Sequence, residues 1–373
     1  MSIMETNDRN MVSFMAISPM EIVKDELKAR GISQKEFAYR IGMQPSNLSR
    51  AIKEGNISPQ FAARLESALG IPSSEWMSLQ AQYERDLIAI RNRDESEKEA
   101  VVREQMLCGV LNLAELYKRL RISTSEFVHR KMELISDMLG WDLMKLPEAP
   151  FMQAACYKKS DKLTIDEKNQ NTWLTIAYIE SRKSMPTADY TEGNAAIASK
   201  LISKRVHDGG VTEHEIREIL NDNGIAYSVV EKLSKTPIDA VSMMVEGKPA
   251  IVTTHRYNDM SRLIFNVEHE LGHIELHFRK DGCATFISSD ESYSADGLEE
   301  REANNFAEDA LIPPKTWAAM MNSRANNISS QNIVRKLRSL SIQYGLDPNI
   351  VIWRYKYESH NYQLRGTKPV PIR

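Results

Sequence analysis

The chain has 373 residues, of which 42% are hydrophobic and 27% charged, a composition typical of soluble globular proteins with two or three domains. The formal net charge of -3 excludes a protein that holds nucleic acid by bulk positive charge, so any DNA contact would depend on local geometry. The sequence has neither the long apolar run of a membrane span nor the apolar core of a signal peptide. We therefore expect a cytoplasmic protein that does not contact a membrane.

The N-terminal part is predicted to consist of a flexible lead (residues 1–18) and a compact helical domain (residues 19–90). Four short helical patterns follow one another between residues 19 and 70, each separated from the next by a few residues that contain glycine, serine or proline. Ser33 and Glu36 have the spacing of a capping box at the start of the second helix. Four helices of this length with short connections predict a helical bundle.

Residues 91–150 are predicted to form a helical connector. The run RNRDESEKE (91–99) indicates a solvated linker or an exposed helix face, and LPEAP (146–150) marks a domain boundary. Within the connector, LNLAELYKRLRISTSEF (111–127) has a second capping-box pattern at Ser123 and Glu126. A second helix-turn-helix is one interpretation of this segment, but we favour a connector or a dimerisation element because such helix starts are common.

A third domain is predicted over residues 151–357, followed by a polar tail at 358–373. Helical patterns cover residues 174–180, 194–205 and 212–221, whereas 225–230 and 248–254 are rich in β-branched residues and predict strands. Helical patterns then continue to residue 357. The whole chain is therefore predicted to be mainly α with a small sheet, in the α+β class.

The second and third helical patterns of the N-terminal domain have the form of a helix-turn-helix. In this motif the second helix enters the major groove of DNA, where amide and guanidinium groups can read base edges. The predicted groove-facing residues are Gln44, Ser46, Asn47, Ser49 and Arg50. Residues 19–70 contain eight Lys/Arg and six Asp/Glu, a net charge of +2 (8 − 6). A helical module that docks a partner protein is the alternative interpretation.

Residues 18–87 resemble the Xre-type helix-turn-helix of HigA-like antitoxins and related repressors. The resemblance includes GISQKEFA, NISPQFAARLESALG and EWMSLQAQY. It implies binding to double-stranded operator DNA, a homodimer, and contact with a partner toxin in the antitoxin members. This chain is much longer than a HigA antitoxin, so its remaining residues require a separate explanation.

The segment NVEHELGHIELHF (266–278) suggests a zinc site. His269 and His273 are four residues apart, so on a helix both imidazole rings can face one metal ion, and Glu270 can accept a proton from a water that the metal activates. The three cysteines, Cys108, Cys156 and Cys283, form no CxxC pair, which argues against a thiolate site. An amphipathic helix with surface histidines is the alternative interpretation.

A catalytic zinc requires a third protein ligand and an open fourth position. The residue six positions after His273 is Arg279, which cannot bind a metal. His277 follows His273 too closely on the same helix to complete a tetrahedron. We expect it to have a structural role or to hold one of the ligands.

The segments HELGHIELH and LEEREANNFAEDALIPP (298–314) together resemble the ImmA/IrrE-type metallopeptidases, over about residues 170–320. The matching positions of the second segment are Glu300, Ala303, Asn304, Phe306 and Ala307. The resemblance implies that Glu300 is the third zinc ligand, with Glu302 as a fallback, and that Asn304 holds a ligand imidazole. The strand PAIVTTH (249–255) fits the sheet edge to which a substrate peptide adds in that family.

These observations predict a DNA-binding regulator or antitoxin-like protein with a zinc-dependent endopeptidase domain. In the resembled family, separate peptidases cleave Xre-type repressors, so the expected substrate is the chain itself or a partner repressor or antitoxin. The alternative is a non-catalytic regulator whose metallopeptidase-like domain senses a ligand or binds a toxin. The sequence does not identify a group that would stabilise the oxyanion.

Overall fold

The computed structural model describes residues 15–148, 166–278, 285–288, 297–322, 330–359, 361, 364 and 366–372. Most of the predicted lead, the end of the predicted boundary at 149–150, and Cys156, Arg279 and Cys283 lie outside these ranges. The described part contains fifteen α-helices, one 3₁₀ helix and four strands, in agreement with a mainly helical α+β chain. None of its helices is long and apolar enough to cross a membrane.

The chain divides into two compact units, Met1–Val102 and Arg103–Arg373. The helices of the first unit are α1 (Pro19–Ala29), α2 (Gln34–Arg40), α3 (Pro45–Glu54), α4 (Pro59–Leu69) and α5 (Ser73–Leu107), the last of which continues into the second unit. The predicted charged run 91–99 is thus a mostly exposed stretch of α5.

Local signals in the sequence account for the short helices of the first unit. Ser18, Ser33 and Ser58 each accept a backbone N–H bond at the start of a helix, and Gly55 and Gly70 end α3 and α4 in the left-handed conformation. The predicted capping box at α2 is only half formed. Ser33 caps the helix, but the carboxylate of Glu36 pairs with Arg40 at 2.6 Å.

The second unit begins with three helices that precede its sheet. They are α6 (Leu113–Leu120), α7 (Val128–Leu139) and the 3₁₀ helix Leu143–Glu148. The helix start predicted at Ser123 is wrong, because α7 begins after Phe127 and the Ser123 hydroxyl accepts from the backbone of Ser125 instead. The side chain of Asn112, which caps α6, binds Asn169 at 2.7 Å and so ties α6 to the following helix, α8 (Glu167–Lys183).

A four-stranded mixed sheet forms the centre of the second unit. Its strands are β1 (Ala226–Val229), β2 (Ala240–Val245), β3 (Lys248–Thr253) and β4 (Thr285–Ser288), in the order β1-β3-β2-β4. β1 is parallel to β3, and β2 is antiparallel to both β3 and β4. A two-residue turn with positive φ at Glu246 (48°) and Gly247 (83°) joins β2 to β3.

The sheet order corrects one prediction about substrate binding. β3, which contains most of PAIVTTH, lies between β1 and β2, so its backbone bonds are already used within the sheet. A peptide cannot add to it. Among the described residues, β4 is the edge strand on the other side of β2.

Helices surround this sheet and place the histidine segment in the core. They are α9 (Asn194–His207), α10 (Glu213–Asp222), α11 (Met260–Leu276), α12 (Leu298–Leu311), α13 (Pro314–Asn322), α14 (Ser330–Gln343) and α15 (Pro348–Glu358). Residues 260–274 of α11 are all buried except Arg262. Of the predicted tail, residues 359, 361, 364 and 366–372 are described. The backbone carbonyl of Val370 accepts a bond from Met260 at the start of α11.

Candidate nucleic-acid interface and candidate metal centre

The predicted DNA-reading residues lie together at the N-terminal half of α3. Gln44, which precedes the helix, and Ser46, Asn47, Ser49 and Arg50 are all exposed. Leu48, in their midst, is 1% exposed and packs into the core of the first unit. The helix therefore turns one apolar face inwards and presents amide, hydroxyl and guanidinium groups to solvent, as a recognition helix does.

The Arg50 guanidinium is oriented by its own helix. It donates to the Asn47 side-chain oxygen at 3.3 Å and lies 3.9 Å from a carboxylate oxygen of Glu54. Both contacts are on the protein surface, where such pairs contribute about 0–1 kcal/mol, so the guanidinium can exchange them for a base edge at little cost.

The candidate metal centre is formed by two neighbouring helices. α11 carries His269 and His273 one turn apart, and α12 carries Glu300 in its first turn. Both histidines are fully buried, while the side chain of Glu300 is 14% exposed. The surface-histidine interpretation is therefore wrong.

The three side chains direct one ligand atom each to a common point. The two imidazole Nε2 atoms are 3.0 Å apart, and the carboxylate oxygens of Glu300 lie 3.4 Å from Nε2 of His269 and 3.5 Å from Nε2 of His273. Zinc bonds of about 2.0–2.1 Å at tetrahedral angles place neighbouring ligand atoms about 3.4 Å apart. In this triangle of side chains the two carboxylate distances are to different oxygens of Glu300, and each is close to the edge of a zinc coordination tetrahedron, so the group can hold a metal ion.

Asn304 lies one turn after Glu300 and contacts the first histidine. Its side-chain oxygen is 2.9 Å from Nδ1 of His269. An amide oxygen only accepts, so Nδ1 carries the proton and donates, which leaves the Nε2 lone pair of His269 directed at the ligand triangle.

His277 and Glu302 act on His273 as Asn304 acts on His269, through a chain of hydrogen bonds. Nδ1 of His277 is 3.0 Å from Nδ1 of His273, and Nε2 of His277 is 3.0 Å from a carboxylate oxygen of Glu302. Glu302, the fallback ligand, therefore lies against His277 rather than in the triangle. If His277 donates from Nε2 to Glu302, its Nδ1 can accept from His273, whose Nε2 is then free for a metal.

Glu270 is fully buried beside His269. Its Oε1 accepts a hydrogen bond of 2.5 Å from the hydroxyl of Ser288 on β4, while Oε2 has no hydrogen-bond partner among the described residues. Burial raises the pKa of Glu270 to about 7, although the charge of His269 and the Ser288 bond act in the opposite direction. One oxygen is thus held in place and the other is available for a proton.

The surroundings of the triangle favour an anionic Glu300 and a neutral His273. Burial opposes ionisation of Glu300, but its interactions with His269 and His273 lower its pKa to about 2. Burial lowers the pKa of His273 to about 4, although Glu300 acts in the opposite direction. A neutral imidazole and a carboxylate are the protonation states that bind a metal.

Two groups at the centre were not predicted from the sequence, and both come from β4. Ser288 binds Glu270, and the ring of Phe286 stacks on His273 with centroids 4.2 Å apart. β4 is a four-residue strand without a clear pattern of its own, so the only signal in the sequence was its position between the two helices that carry the ligands.

Comparison with known proteins identifies a family only for a segment of the first unit. Residues 23–76 match the family model described as helix-turn-helix, HTH_3. No curated protein matches the chain. The matched segment contains α2 and α3 but does not reach the metal centre. The N-terminal unit is therefore an Xre-type helix-turn-helix, DNA-binding domain.

Proposed function

We propose that this protein is a DNA-binding transcriptional regulator whose second unit is a zinc-dependent endopeptidase. The helix-turn-helix domain binds operator DNA, as a homodimer, through Gln44, Ser46, Asn47, Ser49 and Arg50. His269, His273 and Glu300 hold the zinc ion, and Glu270 is the general base. The observation that carries the enzymatic part is the triangle of ligand side chains next to Glu270, whose Oε2 accepts no hydrogen bond from the part of the chain that the structure describes.

The residues around the triangle fit zinc better than the hard cations. Two imidazoles and one carboxylate are typical of catalytic zinc sites, whereas magnesium and calcium prefer oxygen ligands only. When bound, zinc supplies a Lewis acid that lowers the pKa of water and polarises a carbonyl group. Asn304 and His277 orient the two histidines, and the carboxylate of Glu300 balances part of the metal charge.

Glu270 performs the proton transfers of the proposed hydrolysis. Ser288 fixes Oε1, so Oε2 accepts the proton of the attacking water and returns it to the amine that leaves. A base with a pKa of about 7 can accept and release a proton at neutral pH. Atoms balance without a cofactor beyond the metal, because water adds across the peptide bond.

The proposed substrate is an extended segment of this chain or of a partner repressor or antitoxin. Support comes from β4, an edge strand whose Ser288 and Phe286 contact Glu270 and His273. A peptide that adds to this edge would lie beside the candidate centre. Cleavage of a DNA-bound repressor would join the two activities in one switch.

The test compares wild type with Glu270→Gln, which keeps the shape of the side chain but removes the base. Glu299→Gln is the matched control, because Glu299 is an exposed glutamate next to Glu300. Each purified full chain is incubated with zinc, operator DNA and candidate Xre-type repressors or antitoxins, and new N-termini are identified by mass spectrometry. We expect the same products from wild type and Glu299→Gln and none from Glu270→Gln.

Two outcomes would contradict the endopeptidase. One is that wild type leaves every protein intact, and the other is that Glu270→Gln yields the same products as wild type. Bound zinc together with DNA repression that does not depend on Glu270 would instead support the non-catalytic regulator, with the second unit as a ligand sensor or a toxin-binding domain.

A further inference from the structure

A solvent-open surface recess lies in the second unit, apart from the ligand triangle. Asp259 and Ser261 at the start of α11, Arg338 of α14, several residues of α15 and the segment at 367–368 line it. Nothing in the proposed hydrolysis uses these residues.

The charge of the recess is unbalanced. Three cationic side chains line it, those of Arg338, Lys356 and Lys368, against the single carboxylate of Asp259. Asp259 also caps α11, because one of its oxygens accepts from the backbone of Ser261 at 3.1 Å. No ion pair joins any of the three cations to another described residue. The recess thus has an excess of two positive charges (3 − 1).

A second surface recess shows how the chain neutralises such charges elsewhere. There Asp239, 3% exposed, lies 3.1 Å from the guanidinium of Arg262 and 3.7 Å from that of Arg256. Buried cations are normally paired in this way. In the first recess the carboxylate of Asp259 forms no ion pair with any of the three cations among the described residues.

The partial burial of Lys356 has an energetic cost. Its side chain is half-buried on α15, and burial lowers its pKa while the charge of Asp259 offsets this only in part. An anion within the recess would stabilise the ammonium group of Lys356 and the Arg338 guanidinium together. A multivalent anion would do so more strongly than chloride.

We propose that this recess binds a small phosphate-bearing anion, because Arg338, Lys356 and Lys368 line it together with the polar residues Ser261, Thr367 and Asn349. A planar guanidinium matches phosphate oxygens, and hydroxyl and amide groups can donate to the same oxygens. Trp353 and Ile352 add an apolar wall for the organic part of a phosphate ester. Trp353 also packs on Phe265 of α11, with ring centroids 4.2 Å apart, so it can report binding through its fluorescence.

The test measures binding of pyrophosphate to the full chain by isothermal titration calorimetry and by tryptophan fluorescence. We expect one site in wild type, with a dissociation constant that rises by about tenfold or more in the Arg338→Ala/Lys356→Ala double variant, since charge-assisted hydrogen bonds are lost. The matched control is Arg335→Ala/Lys315→Ala, which removes the same charge from exposed positions of α14 and α13 outside the recess. It should bind as wild type does.

Further measurements distinguish a specific binding site from general electrostatic attraction and from misfolding of the variants. Thermal unfolding without ligand checks that each variant is folded, and the single variant Lys368→Ala, at an exposed position, should weaken binding if the double variant does not fold. Trp353→Phe should bind pyrophosphate but lose the fluorescence change. The proposal is overturned if wild type does not bind pyrophosphate, if sodium chloride at matched ionic strength abolishes all binding, or if the control double variant is weakened equally. It is also overturned if the recess variants weaken only the binding of duplex DNA.

Discussion

His277 lies between a ligand histidine and a carboxylate, and its position decides the tautomer of that histidine. Its Nδ1 is 3.0 Å from Nδ1 of His273 and its Nε2 is 3.0 Å from Glu302. A carboxylate accepts but does not donate when ionised, so Glu302 favours the His277 tautomer with the proton on Nε2. His273 then donates from Nδ1 and keeps Nε2 for a metal.

Replacement of His277 should therefore weaken zinc binding without removing a ligand. Loss of a group that orients a ligand typically costs about 10–100-fold in metal affinity, and we expect this for His277→Ala and a smaller loss for Glu302→Gln. Chelator competition with the purified protein measures the affinity. His214→Ala, at a largely exposed histidine of α10, is the control and should have no effect. Equal affinities for His277→Ala and wild type would show that His273 does not need this contact.

Glu213, at the start of α10, makes the stability of the fold depend on pH, and this dependence does not involve the metal centre. It accepts from the hydroxyl of Tyr227 at 3.2 Å and lies 3.3 Å from Nε2 of His255. Burial alone would raise its pKa, but the interaction with His255 and the Tyr227 bond lower it below the usual 4.5. A lowered carboxyl pKa stabilises the fold above the unfolded-state pKa, and this contribution disappears as the pH falls through the folded-state value.

We thus expect the difference in unfolding free energy between wild type and Glu213→Gln to shrink as the pH falls below about 4.5. Urea unfolding of chelator-treated protein across this range measures it. Glu218→Gln, at an exposed position on the same helix, should show a smaller and flatter difference. A difference for Glu213→Gln that stays constant or grows in acid would contradict the assignment.

At the scale of the elements, the centre depends on the close approach of α11 and α12. Gly272 lies between the two histidines and faces α12. A Cβ atom at this position would be 3.0 Å from the Cα of Ala303 and 3.1 Å from the Cβ of Phe306. These contacts are tighter than ordinary van der Waals distances, so the helices must separate to admit a methyl group.

Gly272→Ala should therefore disturb the ligand triangle, because His269 and His273 are on one helix and Glu300 on the other. We expect weaker zinc binding together with a lower unfolding temperature, measured by chelator competition and calorimetry. Ser339→Ala, at an exposed position of α14, is a suitable control and should leave the zinc affinity unchanged. Unchanged zinc affinity in Gly272→Ala would show that the two helices adapt without moving the ligands.

The elements that the sequence predicted are those with strong local signals. Serine caps and terminal glycines locate the first four helices, and the spacing of His269 and His273 requires a helix. Two strands, β2 and β4, were not predicted from the sequence, and for β2 the reason is local. β2 contains two adjacent methionines, and the turn that follows it begins with Glu246 instead of the usual asparagine, aspartate or glycine.

Tertiary packing accounts for the rest of the site. The resemblance to the metallopeptidases implied that Glu300 and Asn304 meet the two histidines, but the contact of Ser288 with Glu270 depends on how β4 pairs with β2. The edge position assigned to PAIVTTH was wrong for the same reason, since strand order is set by packing between distant segments. The role of Glu302 also depended on where the side chain of His277 points.

At the scale of the whole molecule, the two units carry different chemistry on one chain. The first contains the helix-turn-helix domain and the second carries the candidate metal centre, so we expect variants of one to leave the activity of the other unchanged. We expect Asn47→Ala and Arg50→Ala, in the full chain, to weaken binding to a selected operator by about 1–3 kcal/mol each. Ser67→Ala, at an exposed position of α4, is the control. Mobility shifts measure binding, and equal affinities for all three variants would contradict the assignment of α3 as the recognition helix.

The account depends most on zinc bound by His269, His273 and Glu300. Its most direct measurement is the zinc content of the purified full chain, combined with X-ray absorption at the zinc edge. We expect about one zinc per chain, with two imidazole nitrogens and carboxylate oxygen at about 2.0–2.2 Å and no sulfur. Glu299→Gln should retain this zinc and Glu300→Gln should lose most of it. Wild type without zinc, a sulfur ligand, or full zinc content in Glu300→Gln would contradict the centre described here.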